Sequence, residues 1–198
     1  MLTQIAVNTS TKITNGTARD ILKFSIAAPV TATTSNGISV KQIRFPISWV
    51  DGGGSSDTLE IESLKLSIDG TDITAADITI QDQNGSPVES ASGLTESDNY
   101  VIVTWDSNKE LTIGAGQVRT LTLRGTMQGF NTGDQEINPA DSFTIGFEPD
   151  YVYNDTKRYL VNHAPTDNII NLSATPDGSS GSVRYSFLWS DNSSAAHT

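Results

Sequence analysis

The side chains of this 198-residue chain that could do chemistry are mostly carboxylates. Asp and Glu number 23 against 12 Lys and Arg, a formal net charge of −11. Oxygen-rich loops suit a hard cation such as calcium. Four groups qualify: Asp51 with Asp57, Asp69 with Asp72, Asp82 with Asn84, and Asp150 with Asn154 and Asp155. None has the spaced Asp-x-Asp-x-Asp-Gly pattern of a calcium loop. Turn carboxylates also bond to their own backbone, which competes with the metal reading. Asp51, Asp57, Asp69 and Asp72 stand as the candidate calcium ligands, and no other cofactor is expected.

Catalytic constellations are scarce. Glu60 and Glu62 point the same way along a regular strand, and glycosidases need two such carboxylates a few ångströms apart. Acidic pairs are also common on the solvent face of a charged sheet. The two histidines, His163 and His197, lie in a Val-Asn-His-Ala-Pro stretch and beside the C-terminus. Neither accompanies a G-x-S-x-G nucleophile motif. The chain has no cysteine, so thiol nucleophiles and Cys/His zinc sites are excluded. Gly52–Gly54 and Gly114-Ala115-Gly116 are not phosphate loops, because no Lys-Ser/Thr and no helix follow. Lys41 shares parity with Ile43 and Phe45. Pointing inward beside an Asn or Asp, it would suit an internal cross-link; snorkelling to solvent is its ordinary use. Trp49, Trp105 and Trp189 sit on apolar strand faces, which argues for core over a sugar platform.

These residues ride on short alternating segments. Leu22, Phe24 and Ile26 form one face of a half-buried strand. Two longer runs follow, Ile38–Trp49 and Thr58–Asp69, joined by an Asp51–Asp57 loop rich in glycine; they read as a central pair. Parity breaks between Val40 and Ile43, and again near Ser63, predict bulges. Pro46 donates nothing to a ladder and predicts an edge or a bulge there. Asp69-Gly70 marks a tight turn. Ile78 and Ile80 face inward, and YVIVTW (Tyr100–Trp105) predicts a central strand covered on both faces. Further strands are expected at Leu111–Ile113, Leu121–Met127, Phe143–Phe147, Tyr151–Tyr153, Tyr159–Val161 and Val183–Trp189. No run holds a helical period, and no internal repeat stands out. The pattern predicts an all-β, antiparallel β-sandwich. Residues 1–20 form an N-terminal arm or edge strand and residues 21–198 a single domain.

Bulk properties narrow the function. A field of this sign repels nucleic-acid phosphates and anionic membranes. No run reaches the length of a membrane span, and Met1–Gln4 lacks the basic start of a signal peptide. Six Asn-X-Ser/Thr sequons begin at Asn8, Asn15, Asn84, Asn154, Asn171 and Asn192, a number that chance supplies in so Asn- and Thr-rich a chain. The absence of cysteine fits a bacterial or archaeal surface protein better than a disulfide-stapled eukaryotic one.

Three stretches carry a resemblance: Asn15–Phe24 (NGTARDILKF), Ala115–Gly125 (AGQVRTLTLRG) and Phe187–His197 (FLWSDNSSAAH). They resemble β-sandwich modules of large exported surface proteins of candidate-phyla-radiation (Patescibacteria-type) bacteria. The third is the most specific, an aromatic-x-Trp-Ser-Asp run followed by Ser, Ala and His. In that family the chain usually continues past the His, whereas here it stops at Thr198. The resemblance implies an immunoglobulin-like sandwich with extra strands, extracellular or at the cell surface, and brings no catalytic motif. The expected function is a non-enzymatic structural or adhesive module that assembles with copies of itself or other surface proteins. Leu2–Val7 is the segment suited to strand addition. A carbohydrate-binding module is the second reading and a glycan-acting hydrolase the third.

Overall fold

Successive side chains of a strand point to opposite faces, so an alternating chain buries one face by laying two sheets together. The computed structural model of the protein has this architecture. It describes residues 1–7, 13–28, 30, 37–52, 58–89, 93–106, 109–130 and 141–147, and the main chain of 187–190. In chain order the strands are β1 (Leu2–Ile5), β2 (Ala18–Ala27), β3 (Ile38–Val50), β4 (Glu60–Ile68), β5 (Thr71–Asp72) and β6 (Ile78–Asp82). Then come β7 (Leu94–Thr95), β8 (Tyr100–Trp105), β9 (Leu111–Ile113), β10 (Val118–Gln128), β11 (Ser142–Ile145) and β12 (Phe187–Ser190). None of the described residues is helical. The expected strands at Tyr151–Tyr153 and Tyr159–Val161, and the first half of Val183–Trp189, lie outside the described residues.

The strands form two antiparallel sheets. The first has the order β1-β2-β10-β4-β5, with β7 also on β4. The second has the order β11-β3-β8-β6, with β9 and β12 also on β3. The two long runs at the centre of the sequence therefore do not pair. β3 and β4 belong to opposite sheets, and both send apolar side chains into the core between them. Alternation reveals which side of a strand is apolar, but not which neighbour it bonds to, and the connecting loop is long enough to cross between layers.

β3 is the spine of the second sheet. β8 and then β9 run along one edge, while β12 and β11 share the other. Pro46 therefore sits in a central strand and not at an edge, contrary to the sequence expectation. Its tolerance has a plain cause. β12 covers Ser39–Ile43 and β11 covers Ile47–Val50, so Pro46 falls in the gap between them, where no ladder asks for its missing N–H.

The parity breaks are bulges. Val40 and Ile43 are both fully buried, so two residues stand between inward positions where alternation allows one. The register slips there: Leu188 pairs with Gln42, and Trp189 pairs with Val40. In β4, Ile61 and Leu64 both point into the core, and Ser63 takes a left-handed φ of 52° between them. A third slip, at Ile21, lets Leu123 face Leu22 while Arg124 faces Asp20.

The sheets meet through aromatic contacts. Phe24 of the first sheet and Phe45 of the second lie 5.8 Å apart between ring centroids, and Phe147 stands edge-on to Phe24 at 4.8 Å. Farther along, Trp49 and Phe143 from the second sheet pack on Phe130, which follows β10. Trp105 is buried in the same core. Rings at these separations contribute beyond their buried area.

Candidate functional site

The outer face of the first sheet is built from the polar half of each alternating strand. Cross-strand partners share a face, so the register places Ile5, Lys23, Thr122, Ser67 and Asp72 in one row across five strands. Next to it run Asp20 and Arg124, and on the other side Ser25 and Thr120. The β4–β5 hairpin rises at the end of the row. Its turn residues Asp69 and Gly70 both have left-handed φ, 51° and 85°, as an Asp-Gly hairpin turn requires.

Together these residues line an open groove of about 470 Å³: Asp20, Lys23, Ser67, Asp69, Gly70, Asp72, Thr120, Thr122 and Arg124. No apolar side chain lines it. Ser67 and Thr122 form its floor and are nearly buried beneath the longer side chains. Two of its carboxylates are already engaged. Asp20 Oδ1 accepts a bond from Arg124 Nε at 3.0 Å. Asp69 Oδ1 accepts from the Thr120 amide at 2.9 Å, and its Oδ2 accepts from Arg119 Nη1 at 2.8 Å. The Thr120 N–H, and after it the Arg119 guanidinium, hold the Asp69 carboxyl below the usual carboxylate range. Lys23 and Asp72 enter no ion pair with any described residue.

Asp69 and Asp72, two of the four candidate calcium ligands, thus line one groove. Asp69 reaches it with both oxygens committed to protein donors. Asp51 ends the β3 side of its loop, beside Gly52, whose N–H donates to Asp141 Oδ1 at 2.8 Å. Asp57 lies outside the described residues, as do Asp150, Asn154 and Asp155. Among the described residues, no three His, Cys, Asp or Glu side chains converge to hold a metal. In the Asp82–Asn84 turn the carboxylate caps its own loop, accepting from the amides of Asn84 at 2.7 Å and Ser86 at 2.8 Å.

The remaining sequence candidates fall elsewhere. Glu60 and Glu62 do share the outer face, but each is bonded separately. Glu60 accepts from the Gly93 amide at 2.9 Å and Glu62 from the Gln128 side chain at 3.2 Å. Asn15 bridges to the Phe130 main chain through both amide atoms, at 3.0 Å each, so its sequon nitrogen serves the fold. Trp105 is core. Trp49 is partly buried and donates Nε1–H to the Asp98 carbonyl at 2.8 Å. The side chain of Trp189 and both histidines lie outside the described residues.

Lys41 is buried, but not toward the aromatic core. It is the extra residue of the β3 bulge, and its Nζ lies 3.6 Å from Glu110 Oε1, with both side chains about 5% exposed (5% and 4%). Glu110 adjoins Leu111, whose side chain is in the core, so the pair occupies the opposite face of the second sheet, where Ser39 bonds Thr112 at 3.1 Å. Nearby, Arg44 is also buried, with its guanidinium 3.7 Å from the Tyr100 ring centroid.

Comparison with protein-family models, curated proteins and solved structures returns no match. The fold and the groove define a two-sheet antiparallel β-sandwich with a polar, charge-bearing outer face. No described helix is long and apolar enough to cross a membrane.

Proposed function

We propose that this chain is a non-enzymatic, extracellular cell-surface module with a structural or adhesive role, which associates with copies of itself through the β1 edge. The observation that carries the reading is the chemistry of that edge. Among the described strands β1 is the terminal one of its sheet, held to β2 by main-chain pairing from Leu2 to Ile5, and its side chains are largely exposed. Natural edges are guarded by charge, proline or a bulge. Met1–Val7 has none of these: the sequence MLTQIAV contains no charged side chain and no proline, in a chain of net charge −11. Strand addition supplies main-chain hydrogen bonds as its affinity, and an unguarded edge accepts them. The partner is a second copy, joined edge to edge, and the extracellular setting follows from the family resemblance of the three stretches.

Light scattering coupled to size-exclusion chromatography tests the association. A mass that rises with protein concentration is expected, together with a monomer for Gln4→Lys, which guards the edge without entering the core. A monomer at every concentration would overturn the self-associating part. Protease shaving of intact source cells tests the surface location, which fails if the chain survives until lysis.

A further inference from the structure

The geometry points to the groove on the first sheet as a binding site for a short acidic oligosaccharide, one bearing a uronic-type carboxylate. What the groove lacks rules out two classes of ligand. None of its nine lining residues is apolar, so it offers no anchor to a lipid chain or a hydrophobic peptide side chain. Its floor is made of β10 and β4, interior strands of the sheet whose main chains are bonded to neighbours on both sides. An extended peptide would find no open ladder there to extend. A ligand held in this groove must bond to hydroxyls and charged side chains, as a polyol does.

What the groove contains narrows the class further. Thr120 presents a hydroxyl that can both donate and accept, above a floor of Thr122 and of Ser67, whose hydroxyl donates to the Thr122 carbonyl at 3.4 Å. Asp20 is neutralised by Arg124, and Asp69 by Arg119. Among the described residues two ionic groups are left over, Lys23 and Asp72, on one cross-strand row. Their backbones stand three inter-strand steps apart, about 14 Å. Asp72, with two acceptor oxygens, suits a pair of neighbouring sugar hydroxyls. Lys23, which pairs with no described carboxylate, suits an anionic substituent at the other end. Three carboxylates against two cations in the lining disfavour a polyphosphate such as nucleic acid. The volume of about 470 Å³ falls within the range of small-molecule sites. The site is complete within one chain and is independent of the β1 edge.

Calorimetric titration of the purified chain with maltotriose carrying a single terminal glucuronic acid, the methyl ester of that acid, and unmodified maltotriose provides the test. The acid is expected to bind at least about ten-fold more tightly than the ester or the neutral sugar, since only it meets the lysine with a charge. Lys23→Gln should remove that preference and Asp72→Asn should weaken all three ligands, both with an unchanged melting temperature. Lys109→Gln, far along the chain and paired with Asp77 at 2.9 Å, should leave binding as it was. Raising salt should weaken the acid alone. Equal binding of acid and ester, undiminished binding by Lys23→Gln, or no heat with any of the three would overturn the proposal. So would an acidic peptide such as acetyl-Glu-Gly-Glu amide binding as tightly as the sugar acid.

Discussion

At the scale of single residues, the charges divide into those that shape the fold and those that line the groove. Lys41 and Glu110 belong to the first kind. Two charges out of water are tolerated only together, because losing one partner leaves the other desolvated. Lys41→Met is expected to lower unfolding stability by roughly 3–5 kcal/mol, with Lys41→Met/Glu110→Leu recovering much of the loss. Chemical denaturation of the two variants checks this; a double variant worse than the single one would contradict it. Asp69 titrates at an exposed site. Its carboxyl is held low in the folded chain, so its bonds to Thr120 and Arg119 contribute fully above the ordinary carboxylate pKa of about 4 and fade as pH falls through the lower folded value. Asp77 behaves the same way through Lys109 and Thr74. Lys109 has the opposite sign: raised by Asp77, its contribution is full below its ordinary pKa and fades as pH rises through the folded one. Melting curves at pH 3 and pH 7 should therefore differ less for Asp69→Asn than for the unaltered chain. The difference is small, since Arg119 and Asp69 are about two-fifths exposed, at 42% and 41%.

At the scale of elements, three bulges let strands of irregular pattern present one continuous apolar face. Ser63 bears the local cost, a non-glycine residue in the left-handed region. Ser63→Gly is expected to be neutral or to stabilise by up to about 1 kcal/mol. Deleting Lys65 instead should be severe, because it makes Leu64 and Leu66 neighbours and turns one of them out of the core. Thermal unfolding of the two variants separates the cases, and a deletion that melts normally would refute the register argument. Much of this was legible beforehand. The parity breaks at Val40–Ile43 and Ser63 announced their bulges, and Asp69-Gly70 announced its turn, because each is written in adjacent residues. The partnership of strands was not legible. β2 and β4 are joined by β10, which arrives some fifty residues after β4, and no local signal marks that choice. The groove was half legible for the same reason. Asp69 and Asp72 stood out as turn carboxylates, whereas Lys23, Ser67 and Thr122 look like ordinary solvent-face residues until the register sets them in a row. Pro46 misled because its tolerance depends on a gap between two partner strands far away in sequence.

At the scale of the whole molecule, a net charge of −11 opposes the edge-to-edge association proposed for β1. Salt screens the repulsion and leaves main-chain hydrogen bonds largely intact, so association should strengthen between 50 mM and 500 mM salt. Sedimentation velocity at both ionic strengths decides this, and weaker association at high salt would point to ionic contacts. The place of β10 between β2 and β4 also sets a timetable. Until residues 118–128 have been made, the two long flanking strands of the first sheet lack the neighbour they share, and the second sheet has no complete layer to lie against. Such non-local pairing closes late and slowly. Nascent chains arrested at residue 117 should be cut by protease along their whole length, while chains extended past Phe130 and clear of the ribosome should gain protected fragments. On the ribosome the sandwich is thus a product of its tenth strand, and a cell making it must shelter the open edges of β2 and β4 and the uncovered apolar faces until that strand emerges.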